Sequence, residues 1–361
     1  MAEELFTDMV GNESALRLLA RAAQEGPTHA YLFYGPPGVG KRTAARRFGA
    51  RLVAGGNATA ERRALRGNHP DLAEIEPEGA FTTISQVRQV VGLAASRPFE
   101  GERRVIVLDA ASFNPPAANA LLKTLEEPEG ETVFVLLASS LDEVMPTIVS
   151  RSQPVRFDRI PTPLVEEFLR ARGAREPSVA AALGRGSVGL ALRYAEEPGL
   201  GELREAVFRA GLSVGADYEE RRELAGFVME RVEAVGKERE AAILAGYDGE
   251  GEPDRRTKDT AKRAGRAARD HAYREAIDLL ALLFRDAAVV RAGAEELAAN
   301  LDRLEEIRAV ADRYPEADWA GAALSLEEAR SGLTYNVSPE AMLEVALSRT
   351  RQSILDLSRG S

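Results

Sequence analysis

The run Gly35-Pro36-Pro37-Gly38-Val39-Gly40-Lys41-Arg42-Thr43 holds the G-x-x-x-x-G-K frame of a phosphate-binding loop. Glycines at 35, 38 and 40 let successive backbone N–H groups turn inward. The positive end of a following helix adds to the pull on an anion, and Lys41 would reach the outer phosphates. The residue after the lysine is ordinarily Ser or Thr, whose hydroxyl holds Mg²⁺. Here it is Arg42, and Thr43 comes one position late. A cation roughly 4 Å from a divalent ion is repelled by about 8 kcal/mol at an effective dielectric of about 20. The loop therefore reads either as retained architecture or as a nucleotide site that manages without the usual metal ligand. A second chemical position ends the run Val107-Leu108-Asp109-Ala110. A carboxylate such as Asp109 assists Mg²⁺ in phosphate-loop ATPases, and a Glu often follows it to activate water. Ala110 cannot polarise water.

The elements that must position these residues are visible in the pattern. Apolar runs at Ala30–Tyr34, Arg104–Asp109 and Thr132–Ala138 read as buried strands, with weaker ones at Asp71–Ile75 and Val155–Phe157. Helical patterns at Leu16–Ala23, Lys41–Val53, Ser85–Ala95 (with Ser85 as N-cap) and Pro116–Glu127 alternate with them. Strand–helix alternation with continuously apolar strands predicts a parallel sheet covered on both faces. Beyond Phe157 the strand signals stop. Short helices are expected at Pro163–Arg172, Glu176–Leu183 and Val188–Ala195, and helical periodicity continues to the end. Tyr247–Asp270, rich in Gly, Asp, Lys and Arg, reads as a loop or as a frayed or extended polar helix.

Composition sets limits. The chain has 361 residues, a net charge of −10 and no cysteine. It is not a globally basic nucleic-acid binder, and disulfides and thiolate metal sites are excluded. His29, His69 and His271 are too far apart in sequence to suggest a metal site, so no metal, and no zinc in particular, is expected. The opening Met1-Ala2-Glu3-Glu4 lacks an apolar signal segment and no apolar run is long enough for a bilayer. A cytoplasmic location without membrane contact is expected. The cluster Arg255, Arg256, Lys258, Lys262, Arg263, Arg266 and Arg269 is basic. It lies near acidic residues and lacks aromatics, which favours a solvated face over a nucleic-acid site.

The run Asn114-Pro115-Pro116-Ala117-Ala118-Asn119-Ala120-Leu121-Leu122-Lys123-Thr124-Leu125-Glu126-Glu127-Pro128 resembles the N-x-x-A-x-N-A-L-L-K-x-L-E-E-P signature of bacterial clamp-loader subunits of the AAA+ family. Ser150-Arg151-Ser152 resembles their S-R-C motif. Phe6-Thr7-Asp8-Met9-Val10-Gly11 and Asn336-Val337-Ser338-Pro339 are similar to the family as well. The resemblance implies a P-loop α/β domain over 1–157, a small helical lid over 158–205 and an all-α collar over 206–361. It also implies partnership with gamma/tau and delta subunits in a hetero-pentamer that places a sliding clamp on primed DNA for DNA polymerase III. Arg151 would project into a neighbour's ATP site as an arginine finger, in place of its bland reading as an ion-paired surface residue. Ala138-Ser139-Ser140, at the end of the fourth strand, resembles the sensor position, where a small hydroxyl would contact phosphate or water, and reads equally as a strand-ending cap. Three departures matter. The four-cysteine zinc module common in relatives is missing from Arg51–His69. Ser152 replaces the motif's cysteine. Gly189 replaces the lid arginine in Gly186-Ser187-Val188-Gly189-Leu190-Ala191-Leu192. Gly189, with Arg42 and Ala110, implies a non-hydrolysing subunit, holding ATP as a static ligand or none. The alternative is an active motor of the gamma/tau kind.

Overall fold

The computed structural model describes residues 3–75, 77, 82–126, 130–247, 252–331 and 339–356. Contacts divide the chain into two units: residues 1–173 with 184–191, and 174–183 with 192–361. The expected three-way division is finer than this split, and the stretch 158–205 contributes to both units.

The first unit is built on five parallel strands: β1 (Ala30–Tyr34), β2 (Leu72–Ile75), β3 (Arg104–Asp109), β4 (Thr132–Ala138) and β5 (Gln153–Arg156), in the order β2-β3-β4-β1-β5. The period-2 alternation of each strand feeds two cores. Tyr31, Phe33, Val105, Val107, Val133 and Val135 face α1 (Glu13–Glu25) and α2 (Lys41–Ala54), where Leu19, Ala45 and Phe48 meet them. Leu32, Ile106, Leu108, Phe134 and Leu136 face α4 (Ile84–Ala94) and α5 (Pro115–Glu126), packing on Val87, Val90, Leu121 and Leu125. The fold is the α/β phosphate-loop class that the alternation predicts.

Two local details differ from expectation. Thr83, not Ser85, caps α4: its hydroxyl accepts from Gln86 N–H while the Gln86 side chain returns to Thr83 N–H, a reciprocal box that Ser85 has no partner to make. The segment between α2 and β2 contains a further helix, α3 (Ala58–Leu65), capped by Asn57, whose side chain accepts from Thr59 and Ala60 N–H.

In chain order α6 (Pro146–Val149) precedes β5, and α7 (Thr162–Ala171), α8 (Pro177–Gly184) and α9 (Val188–Glu196) follow it. The second unit is helical, with α10 (Pro198–Leu212), α11 (Tyr218–Ala245), α12 (Arg255–Arg291), α13 (Leu304–Arg313), α14 (Trp319–Ser331) and α15 (Pro339–Asp356) around a core that includes Phe208, Tyr273, Leu280 and Leu283. From Arg255 on, the polar stretch is helix. Asp254 caps it through Thr257 N–H at 2.7 Å. The resemblance at Asn336-Val337-Ser338 falls outside the described residues.

Candidate nucleotide and subunit-contact site

The strand order places the phosphate loop. The chain leaves β1 through the loop, runs along α2 and crosses to the far edge at β2, while β4 lies beside β1. Tyr34 pairs with Ala138, and Asp109 with Leu137. Gly35, Asp109 and Ser139 therefore share the carboxyl edge of the sheet, where ligands of parallel α/β sheets bind.

The loop needs its glycines. Gly35, Gly38 and Gly40 have φ of 141°, 75° and 98°, values that side-chain-bearing residues rarely adopt. A Cβ on Gly35 would overlap the Phe157 carbonyl, and one on Gly38 the Ser187 hydroxyl. The N-terminus of α9 rests on the loop. Gly189 N–H donates to Gly38 O at 2.9 Å, and a Cβ on Gly189 would stand 3.4 Å from that same carbonyl. Ser187 Oγ caps α9 by accepting from Leu190 N–H at 3.0 Å.

Lys41 turns back into the loop. Its Nζ donates to Gly35 O and, at 2.7 Å, to Pro36 O. Burial lowers its pKa to about 8, against the opposing pull of the Asp109 and Glu143 carboxylates. Asp109 accepts from Ala111 N–H at 3.1 Å and so starts a short 3₁₀ turn. Arg42 is half-buried and Thr43 exposed. Glu143 accepts from Ser139 N–H at 3.2 Å, a carboxylate at the sheet edge that local sequence does not announce because it lies beyond the strand.

Three features depart from a phosphate loop that holds a magnesium–nucleotide complex. A guanidinium stands at the metal-hydroxyl position, an alanine follows Asp109, and the carbonyl of Gly38 is tied to the backbone of Gly189. Among the described residues no group of three or more His, Asp or Glu side chains stands together as a metal cage. His69 is buried and its Nδ1 accepts from Asp71 N–H.

Arg151 lies apart from the phosphate loop, after α6. Its guanidinium pairs with Glu126 at the end of α5 and donates to Thr147 O at 2.9 Å. The structure thus joins the two stretches that carry the resemblance, a contact between separate elements that local sequence does not reveal. Among the described residues no helix is long and apolar enough to cross a membrane.

The family model described as DNA polymerase III, delta subunit, matches residues 11–161. DNA polymerase III subunit delta' of Pseudomonas aeruginosa is 43% identical over 134 residues, covering 34% of this chain and 41% of that protein. Subunit delta' of Bacillus subtilis is 31% identical over 150 residues, covering 39% and 46%. The tau subunit of Bacillus subtilis is 32% identical over 166 residues, covering 43% and 29%. The chain thus spans less than half the length of these relatives. A solved gamma subunit-related protein of Thermotoga maritima aligns over 95% of this chain and 99% of its own at 16% identity, with a TM-score of 0.43. Over residues 11–161, less than half of the chain, this protein is similar to the DNA polymerase III delta subunit family, with the delta' subunits of Pseudomonas aeruginosa and Bacillus subtilis beside it.

Proposed function

We propose that this chain is a non-hydrolysing subunit of the bacterial clamp loader. It assembles with gamma/tau and delta subunits in the cytoplasm as part of a hetero-pentamer that opens the sliding clamp and places it on primed DNA. The observation that carries the reading is the state of its own phosphate loop. Lys41 is satisfied by loop carbonyls, Gly189 occupies the lid-arginine position with its N–H on Gly38 O, and Arg42 holds the metal-hydroxyl position. A subunit with that loop contributes shape and contacts in place of turnover. We further assign Arg151 as a finger acting in trans, where a planar, permanent cation would stabilise charge on a partner's transferring phosphoryl group. The three-domain division into a P-loop domain, a lid over 158–205 and a collar over 206–361 belongs to the same proposal, as does a loop that binds ATP statically or not at all, and a chain free of zinc.

The test is ATP turnover. The purified chain is expected to hydrolyse none, while a loader reconstituted from partner subunits gains DNA-stimulated ATPase and clamp loading when the chain is added. Turnover of the isolated chain near about 1 s⁻¹, ordinary for a working enzyme, would favour the active motor of the gamma/tau kind and overturn the proposal.

A further inference from the structure

We propose that the first half of α12 is a binding surface for the phosphate backbone of duplex DNA. Over residues 255–269 the sequence places seven lysines and arginines against one carboxylate, Asp259, in a chain whose net charge is −10. The structure makes this stretch helix, which sets the cations in order. Lys258, Lys262 and Arg266 recur at i, i+4 and i+8, so they share one face, and all three are exposed. Arg263 is exposed beside them.

Several nearby carboxylates pair with cations toward the two ends of the stretch. Glu252 takes Lys258 at 3.0 Å, Asp259 takes Arg255 at 3.9 Å, and Glu233 of α11 together with Asp270 takes Arg269 at 3.6 and 3.5 Å. Lys262, Arg263 and Arg266 have no carboxylate partner among the described residues, although Glu240 of α11 lies against the helix near Gly265. The acids that recommended a solvated face on sequence alone thus pair at the margins and leave the middle of the stripe bare.

The back of the helix is fixed. Ala261 and Gly265 are buried, and Gly265 approaches Gly236 of α11 so closely that a Cβ on either would lie 2.9 Å from the other's carbonyl oxygen. The cations are therefore displayed from a packed helix pair.

The chemistry of the face selects the occupant. It has no Trp, Phe or Leu to enter a lipid interface. It also lacks the aromatic anchors that centre protein interfaces. Regularly spaced lysines and arginines without aromatics suit phosphate contacts, which position a protein on a duplex without reading its sequence. At about 1.5 Å per residue, the stripe from Lys258 to Arg269 runs about 16 Å. The acidic remainder of the chain is screened beyond about 8 Å at physiological ionic strength, so the local charge decides. This surface is independent of the phosphate-loop reading and would stand if that reading fell.

The experiment uses the full chain and a fluorescein-labelled duplex, followed by anisotropy across a salt series. The perturbation is Lys262→Ala/Arg263→Ala/Arg266→Ala, and the control of equal charge change is Arg17→Ala/Arg21→Ala/Arg62→Ala, with circular dichroism to verify that both stay helical. Each lost phosphate contact lowers the slope of log K against log salt by about 0.9. The α12 variant should lose about 2 to 3 from the slope and at least tenfold in affinity at 50 mM salt, about the low end of the range in which such contacts dominate. The control should lose neither. An α12 variant with wild-type slope and affinity would overturn the proposal. So would a wild-type chain that ignores the duplex at low salt, or one that binds anionic phosphatidylserine vesicles or polyglutamate instead.

Discussion

Removing the carboxylate that holds Arg151 should raise, not lower, the activity of the assembled complex. The Arg151 and Glu126 side chains are 32% and 47% exposed. An ion pair in that setting contributes about 0.5–1 kcal/mol after solvent screening. As the proposed finger, Arg151 would have to give up that pair to reach a partner's phosphoryl group. Glu126→Ala should therefore favour the engaged arginine by about 2- to 5-fold, since about 1.4 kcal/mol corresponds to a factor of ten. The same change should cost the isolated chain less than about 1 kcal/mol of stability in urea. Arg151→Ala acts on another scale, because a finger is worth about 10³–10⁵ at the site it completes. It should silence one partner site and leave the others, while Arg151→Lys recovers little for want of the planar fork. The assay is DNA-stimulated ATP turnover of the reconstituted loader, with assembly verified by gel filtration. Should Glu126→Ala lower turnover tenfold in an intact complex, Glu126 aims the arginine and does not restrain it. Should Arg151→Ala change nothing, the residue is an ordinary paired arginine.

Two further outcomes follow from buried charge. Asp71 is fully buried and accepts from the backbone N–H groups of Phe99, Glu100 and Gly101 at 2.6, 2.9 and 2.9 Å, and from Arg104 at 3.2 Å. Burial opposes its charge, but these donors outweigh it and hold its carboxyl below the usual range; Asp71→Ala should cost about 3–5 kcal/mol in urea denaturation, and a loss under about 1 kcal/mol would contradict the pair's role. The lowered pKa of Lys41, about 8 against 10.5, means that between those values the unfolded chain binds more protons than the folded one. Stability from this group therefore rises with pH across that window. The advantage of Lys41→Met over the natural chain should shrink from pH 8 to 10.5, and a difference independent of pH would refute the burial argument.

What the sequence disclosed was local and what it hid was tertiary. The loop glycines, Lys41 and the buried strands are legible because each is written in consecutive residues whose period or backbone demand is self-contained. The cap of α4 was also written, as Thr83-x-x-Gln86, and Ser85 merely competed with it by residue type. The Glu126–Arg151 pair, the approach of Gly189 to Gly38 and the hub at Asp71 depend on chain segments that only the sheet brings together. Periodicity along one element carries no trace of them. The basic stretch was ambiguous for a different reason. A linear count mixes acids and bases that the helix sorts onto separate faces and partners.

The closeness of Gly236 and Gly265 has a consequence for anyone who would improve this protein. Replacing a helical glycine by alanine is an ordinary way to strengthen a helix, worth about 1 kcal/mol. In α11 that recipe splits. Gly226 has nothing within 4 Å of where a methyl would go, so alanine there follows the rule. Ten residues on, at Gly236, the same methyl would press on a carbonyl of the neighbouring helix at 2.9 Å and pry the pair open. Two glycines that composition treats alike are thus, to evolution and to the engineer, one an unused reserve and the other a fixed hinge-pin on which the basic arm is mounted.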